Sequence, residues 1–332
     1  MSEFSEVNEL AVIWVEIGRK LPQHLINNIC LHRQLHPKLH QILISDADNF
    51  KGVERHCEVI RTSELTGFDE SISELRSRIQ RSTKQIDFWV NTTARFLAIK
   101  VLISSRSDFS FIHLESDCVL LSYEAVQRQI NGINWGMAYP LQATGVGCAS
   151  ILLLRKPETF TRFVELVEES WSERDQDDMK LLGLFGQDRE VAILPSSGPH
   201  KDLFDPQTYG RFLFGTDARN MRWPFSRRGI VDHRIGAVNP NDIEFKLDEK
   251  DGNLELKVKA KNFESTLANL HIHSKRVPST RAKFEKFLSK EVKAKRTRLW
   301  TVGRLDIRVF KERLFSWFCR NILRRKTEIR FR

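Results

Sequence analysis

Apolar and polar residues in the first 60 positions follow two alternating patterns. Residues 11–15 and 41–45 are short apolar, β-prone runs, and residues 57–60 form a third. Between the first two runs, the apolar residues of 24–35 recur at helical spacing, after the chain breakers Gly18 and Pro22. Strands alternating with helices in this way predict a mostly parallel sheet with helices on its faces.

The middle of the chain continues the same alternation. Residues 68–79 and 88–103 have helical patterns, and the second is apolar around most of its surface, so this helix should be largely buried. Residues 109–114 are predominantly apolar in character, which in an α/β protein is typical of a central strand. Further predicted elements are strands at 151–154 and 191–194 and an amphipathic helix at 157–170.

The last third of the chain has a different pattern. Residues 243–247 and 254–258 alternate as two strands around a turn at 250–253, which predicts a late β-hairpin. Helical segments rich in charge fill residues 280–325. We therefore expect one α/β domain over residues 1–278 and a basic, amphipathic helical tail over residues 279–332.

Composition agrees with a folded interior and adds an expected location. The chain is 41% hydrophobic, with 22 Phe and 7 Trp, as in soluble globular proteins. Its first ten residues lack a secretory pattern, and no apolar run approaches the roughly 20 residues of a membrane span. The five cysteines include no CxxC pair and suggest neither a disulfide framework nor a zinc site. A cytoplasmic protein is expected.

The positive charge is concentrated at the carboxyl end. Of the net charge of +10, residues 281–332 carry 18 Lys/Arg against 5 Asp/Glu, so the first 280 residues are slightly acidic. Within residues 304–326, aromatic and aliphatic residues alternate with Lys and Arg. This pattern favours an interfacial helix, peripheral on an anionic membrane. A helix that packs its apolar face on the domain is an equal alternative.

Candidate chemistry begins with the acidic triplet Glu115-Ser116-Asp117, directly after the predicted central strand. Ligands of open α/β sheets collect at the carboxyl ends of strands. Two carboxylates at this spacing can hold a divalent cation, which neutralises a diphosphate leaving group. Such a triplet can equally cap a helix or face solvent.

A second candidate is the segment LHIHSK at residues 270–275. On a strand, the one residue between His271 and His273 would place both imidazoles on the same face. Neutral imidazole binds Mn²⁺ and similar ions, and Lys275 could bind a phosphate as a point charge. Two surface histidines on an edge strand are the alternative.

Several of these segments together resemble the bacterial GT-A-fold glycosyltransferases that carry a DxD-type motif. The resemblance covers most of residues 10–275. Glu115–Asp117 takes the place of the motif, with Glu for the first Asp, and residues 270–275 resemble the late H-x-x-G-x-x-K element of family 8, without its glycine. Residues 11–22, with Trp14, are similar to the opening strand and nucleotide-contacting loop of these enzymes. Residues 93–96, with Arg95, are similar to the helix that places an arginine near the donor. Residues 145–150 are similar to the segment that lines the donor sugar.

The resemblance implies a GT-A-like, Rossmann-like α/β fold and a role for each matching residue. The metal, Mn or Mg, would be held by Asp117 and His273 with Glu115 assisting. Lys275 and Arg95 would bind the diphosphate of a nucleotide-sugar donor. The acceptor would be a saccharide or lipid-linked saccharide, as in surface polysaccharide biosynthesis.

A catalytic base and a loop over the site are expected in two further segments. Asp177 or Asp178 would be the base if the anomeric configuration inverts, although acidic residues also favour helix amino termini for electrostatic reasons. Residues 204–217 are rich in aromatic residues and suggest a loop over the site, in which Arg211 or Asp217 would make polar contacts.

Two other classes of function remain open at this point. One is a non-catalytic sugar- or nucleotide-binding protein of the same fold. The other is a nucleic-acid-binding protein whose tail stacks bases on Trp300, Phe315 or Trp317. The slightly acidic charge of the first 280 residues makes nucleic acid the weaker alternative. Hydrolase motifs such as G-x-S-x-G, H-E-x-x-H and the P-loop are absent from the sequence.

Overall fold

A computed structural model describes most of the chain: residues 9–18, 20–78, 86–106, 109–132, 135–170, 177–214, 243–250, 253–260 and 262–298. The helices within these residues are α1 (Gln23–Leu35), α2 (Phe68–Arg78), α3 (Ile86–Ser105), α4 (Tyr123–Gly132), α5 (Pro157–Glu169), α6 (Asp178–Phe185), α7 (Thr208–Phe214) and α8 (Arg281–Arg298). The strands are β1 (Glu9–Glu16), β2 (His40–Ser45), β3 (Glu58–Arg61), β4 (Phe109–Leu114), β5 (Cys118–Leu120), β6 (Met137–Ala143), β7 (Val146–Gly147), β8 (Ile151–Leu154), β9 (Val191–Leu194), β10 (Asp202–Leu203), β11 (Glu244–Lys250), β12 (Asn253–Ala260), β13 (Phe263–Leu267) and β14 (Asn269–His271).

The largest sheet has eight strands in the order β3-β2-β1-β4-β8-β6-β7, with β9 paired to β6. Strands β1 to β4 run parallel, as does the β6–β9 pair, whereas β8 is antiparallel to both of its neighbours. The predicted mixed α/β fold with a mostly parallel central sheet and flanking helices is therefore confirmed.

Each face of this sheet is covered by helices. In β1, Ala11 and Ile13 face the core that includes residues of α3 and α5, whereas Val12 and Trp14 face the core that includes residues of α1 and α4. A strand covered on both faces needs apolar residues at every position, which explains its continuous apolar run. In α3 every residue from 94 to 99 is buried, as its pattern predicted.

The late hairpin is also confirmed, as the β11–β12 pair. It belongs to a second sheet in the order β10-β13-β12-β11, whose strands β10 and β13 the sequence pattern did not reveal. Helix α8 packs against this region through Phe284, Leu288 and Val292, which are buried and spaced four residues apart. The first part of the predicted tail thus packs on the domain, and residues 304–326 lie outside the described residues. None of the described helices is long and apolar enough to cross a membrane.

A buried histidine in α1 gives a prediction about acid stability. His32 is fully buried, and its ring meets that of Trp14 edge to face. Burial, with His36 and Arg33 nearby, lowers the pKa of His32 well below 6.5. As the pH falls below about 6.5, His32 binds a proton in the unfolded chain but not in the folded state. The free energy of unfolding should therefore fall by up to about 1.4 kcal/mol for each pH unit below that point.

Replacing the His32 side chain should remove this pH-dependent loss of stability. His32→Leu is expected to flatten the decline of the free energy of unfolding between pH 7 and pH 5, measured by urea denaturation at several pH values. The exposed His200, replaced by leucine, is the matched control and should leave the slope unchanged. Parallel slopes for wild type and His32→Leu would show that His32 already binds its proton in the folded state.

Candidate metal centre

The candidate site lies where the strand order of the large sheet reverses. From β1 the chain continues to β2 and β3 on one side, whereas β4 lies on the other side of β1. Ligands of open α/β sheets bind in the crevice outside the carboxyl ends of the strands that flank such a point. Here those ends are Glu16 on β1 and Glu115 to Asp117 after β4.

The main chain of the acidic turn is held from both sides. Asn28 of α1 is fully buried, and its Nδ2 donates to the carbonyl oxygens of Ser116 at 3.2 Å and Cys118 at 2.8 Å. The carbonyl oxygen between them, that of Asp117, accepts from the amide of Ile272 at 2.8 Å. Because three successive carbonyls are held in this way, the main chain that carries Asp117 is fixed in position.

Strand pairing brings a histidine to these acids. Strand β5 follows the acidic turn and pairs antiparallel with β14, so that His271 lies opposite Cys118. The ligand atoms of Glu115, Asp117 and His271 all lie within 4.8 Å of one another. Nε2 of His271 is 3.1 Å from Asp117 Oδ1 and 3.6 Å from Glu115 Oε2. Two carboxylates and one imidazole form a donor set that suits Mn²⁺, and the residues therefore fit the metal that the sequence implied.

The histidine in this group is His271 and not His273, which the sequence had favoured. Strand β14 ends at His271, so His273 lies in the following turn and the two imidazoles do not share a strand face. A guanidinium cannot accept a hydrogen bond, so Nε2 of His273 accepts from Arg211 Nη2 at 2.9 Å. Burial and Arg211 lower the pKa of His273 to about 3, which agrees with a neutral ring whose lone pair points to Arg211.

Opposite charges balance one another among Glu115, Asp117 and His271, which we call the candidate metal group. Although burial opposes its charged form, the carboxylate of Asp117 raises the pKa of His271 well above its ordinary value. Burial likewise opposes the charged form of Asp117, but His271 holds the pKa of this carboxyl far below its usual range. A metal ion would therefore replace the proton on Nε2 of His271 and find both carboxylates ionised.

Arg95 links the candidate metal group to α6. Its Nη1 donates to Glu115 Oε1 at 2.6 Å, and its Nη2 bonds Asp178 Oδ2. All three side chains are largely buried. Burial raises the pKa of Asp178 against the opposing effect of Arg95, whereas in Glu115 the nearby Arg95 and His271 outweigh burial and lower the pKa. The guanidinium expected to contact a diphosphate is thus shared by two carboxylates of the protein.

The other predicted site residues have different positions. Asp177 is the N-cap of α6, where its Oδ1 accepts from the amide of Lys180 at 2.8 Å, so its carboxylate serves the helix terminus. Trp14 is fully buried in the core and leaves no indole surface for a nucleotide. Lys275 is half-buried in a left-handed backbone conformation with φ 60°, and its charge acts on Asp117 and Glu16.

The small-residue segment at 145–150 packs on α6 and supports the acidic turn. A Cβ on Gly183 of α6 would lie 1.9 Å from the carbonyl oxygen of Gly145, so this contact requires glycine. At the other end of the segment, the carbonyl oxygen of Ser150 accepts from the amide of Glu115 at 3.1 Å. Asp217, the other residue expected over the site, lies outside the described residues.

Sequence reasoning missed Glu16 at the end of β1. Burial raises the pKa of Glu16 to about 7, with Lys275 and Asp117 among its charged neighbours. Its carbonyl oxygen accepts from Ser45 Oγ at 2.6 Å, which ties the ends of β1 and β2 together. An acidic residue at the carboxyl end of a buried strand was the available signal, since the same rule located Glu115.

Comparison with known proteins finds similar solved structures. No protein-family model matches the chain, and no curated protein matches it. Mouse xyloside xylosyltransferase 1, in its apo form, is 10% identical over 61% of this chain and 89% of its own, with a TM-score of 0.39. The galactosyltransferase LgtC in complex with donor and acceptor sugar analogues is 12% identical over 58% of this chain and 75% of its own, with a TM-score of 0.38. The PaToxG glycosyltransferase is 12% identical over 55% of this chain and 68% of its own, with a TM-score of 0.37.

Proposed function

We propose that this protein is a metal-dependent glycosyltransferase that moves a sugar from a nucleotide-diphosphate sugar to a saccharide or lipid-linked saccharide. The observation that carries the proposal is the convergence of Glu115, Asp117 and His271 within 4.8 Å at the carboxyl end of β4. This position flanks the crevice in which α/β sheets bind their ligands. A divalent cation held there would neutralise the charge that develops on the leaving diphosphate.

Each residue of the site has a part in this proposal. Asp117 and His271 bind the metal, with Glu115 as a third ligand whose other oxygen stays on Arg95. Lys275 binds the diphosphate, because its position beside Asp117 and Glu16 places a cation at the crevice. Arg95 keeps its charge next to the candidate metal group and orients Glu115.

Asp178 is the better of the two candidate bases if the reaction inverts configuration. Its carboxylate faces the site through the pair with Arg95, and burial raises its pKa, which brings a base closer to its operating range. The carboxylate of Asp177 is committed to the amino terminus of α6.

One observation favours a non-catalytic binding protein as the second candidate. Glu115 already pairs with Arg95, and Asp117 with His271. In a site that never binds metal, the two buried carboxylates would need cations of the protein itself to balance their charge. Metal-dependent hydrolysis of a donor separates the two candidates, because only the transferase would release the nucleotide.

The proposal is tested first by nucleotide binding. UDP, GDP, CDP and dTDP, each with and without Mn²⁺, would be titrated into the protein by calorimetry. We expect one nucleotide to bind selectively and only with Mn²⁺, because the diphosphate and the carboxylates repel each other until a cation lies between them. Binding of that nucleotide at equal strength without Mn²⁺ would favour the binding protein, and no binding of any nucleotide would refute the transferase.

The basic tail suggests a peripheral site of action on an anionic membrane, which suits a lipid-linked acceptor and surface polysaccharide assembly. Residues 304–326 carry apolar residues flanked by Lys and Arg, and each cation near an anionic surface contributes about 1 kcal/mol. Deleting residues 304–332 should reduce sedimentation with phosphatidylserine liposomes several-fold and leave binding to neutral liposomes unchanged. Equal sedimentation of the shortened and full chains would contradict the membrane role.

A further inference from the structure

We propose that Asp205 is a positioning residue that holds His271 with its Nε2 atom towards Asp117 and Glu115. The inference rests on the proposed metal site and adds a residue that does not itself contact the metal. Asp205 lies between β10 and α7 and is fully buried. Nothing in the local sequence pattern connects it with a histidine 66 residues away.

The carboxylate of Asp205 accepts four main-chain hydrogen bonds. Oδ1 accepts from the amide of Gln207, directly before α7, and from the amide of Tyr209 in its first turn, both at 3.0 Å. Oδ2 accepts from the amides of Gly210 at 2.8 Å and His271 at 3.0 Å. Capping α7 requires only the bonds within its own turn, whereas the bond to His271 crosses to β14. One carboxylate therefore joins a helix terminus to the strand that carries the metal histidine.

The segment around Asp205 also fixes the ring of His271. The carbonyl oxygen of the next residue, Pro206, lies 3.2 Å from Nδ1 of His271, so Nδ1 carries a hydrogen and donates it. The remaining nitrogen, Nε2, is then the one directed to the acids. Partners of this kind on the far side of a metal-binding imidazole orient the ring, and their loss typically costs 10- to 100-fold in metal affinity.

Asn269 holds the main chain of Asp205 itself. Its Oδ1 accepts from the Asp205 amide at 2.9 Å, and its Nδ2 donates to the Asp205 carbonyl oxygen at 3.0 Å. Asn269 is fully buried and lies two residues before His271 on β14. The two segments are therefore joined through both their main chains and their side chains, and Asp205 cannot shift without moving His271.

Close contact at Gly210 completes this arrangement. A Cβ on Gly210 would lie 1.9 Å from the carbonyl oxygen of His271 and 2.6 Å from its carbonyl carbon. Only glycine allows the first turn of α7 to approach the main chain of His271 so closely. Gly210→Ala therefore shifts His271 or α7, although alanine by itself favours a helix.

The test uses Asp205→Asn and Gly210→Ala in the full chain, with Thr208→Val as the matched control. In Asp205→Asn, one carboxylate oxygen becomes an NH₂ group, which cannot accept from an amide of Gln207, Tyr209, Gly210 or His271. Thr208 lies in the first turn of α7, is 6% exposed, and its hydroxyl has no hydrogen-bond partner among the residues that the structure describes. The readouts are Mn²⁺ affinity by calorimetry and, in metal-free protein, the ¹⁵N NMR signal of the His271 Nδ1–H that donates to Pro206.

We expect both variants to lose at least about 10-fold in Mn²⁺ affinity and to lose or shift the Nδ1–H signal, whereas Thr208→Val keeps both. Unchanged Mn²⁺ affinity and an unchanged Nδ1–H signal in a folded Gly210→Ala would overturn the inference, even if Asp205→Asn did not fold. The NMR readout separates this inference from the proposed function. If wild type binds no Mn²⁺ but the two variants alter the signal, the metal site is refuted and the positioning by Asp205 stands.

Discussion

Asp117→Ala is expected to lower the affinity for Mn²⁺ by about 100-fold or more, equivalent to about 2.7 kcal/mol. Asp117 is 6% exposed, and its Oδ1 lies 3.1 Å from His271 Nε2, so its carboxylate is central to the candidate donor set. Alanine removes this ligand and with it one of the two negative charges that attract the cation. The nucleotide whose binding requires Mn²⁺ should lose its binding in the same variant.

Three further variants give this experiment its controls. His271→Ala should lose Mn²⁺ to a similar extent, whereas His273→Ala should change the affinity less than about fivefold, because Nε2 of His273 faces Arg211. Asp69→Asn removes an exposed carboxylate in α2 and should leave Mn²⁺ binding at the wild-type level. Affinity that survives in Asp117→Ala, or that depends on His273 and not on His271, would contradict the proposed ligand set.

Arg95→Met is expected to lower the free energy of unfolding by about 3–5 kcal/mol. Arg95 is 9% exposed, and its guanidinium is the shared partner of Glu115 and Asp178. Methionine fills much of the same space but leaves two partly buried carboxylates without their cation. Urea denaturation followed by circular dichroism at pH 7 measures the loss.

A double-mutant cycle separates the lost charge pair from lost packing. Asp178→Asn alone should destabilise the protein, because it breaks one of the two pairs of Arg95. In the Arg95→Met background the same change should cost less or become favourable, because it removes an unpaired buried charge. Strictly additive effects would show that the pair of Arg95 with Asp178 does not stabilise the protein. Arg162→Met, which breaks more exposed pairs with Asp188 and Glu190, is the control and should cost less than Arg95→Met.

The sequence by itself determined the layers of the fold and predicted one half of the candidate site. Strand β4 was predicted to be central because four of its six residues are apolar without strict alternation, and in the structure it lies between β1 and β8. The rule that ligands collect at the carboxyl ends of strands then selected Glu115 and Asp117. Both inferences need only local information, because a strand that is buried on both faces has apolar residues at neighbouring positions in the sequence.

The tertiary structure decided which side chains that are far apart in the sequence contact one another. The choice between His271 and His273 depended on where β14 ends and on Arg211, which lies 62 residues before His273. Arg95 forms ion pairs inside the protein with Glu115 and Asp178, which lie 20 and 83 residues away in the sequence. The periodicity of a sequence encodes secondary structure and burial, whereas the contacts between side chains follow from how helices and strands pack, and packing has no local signature.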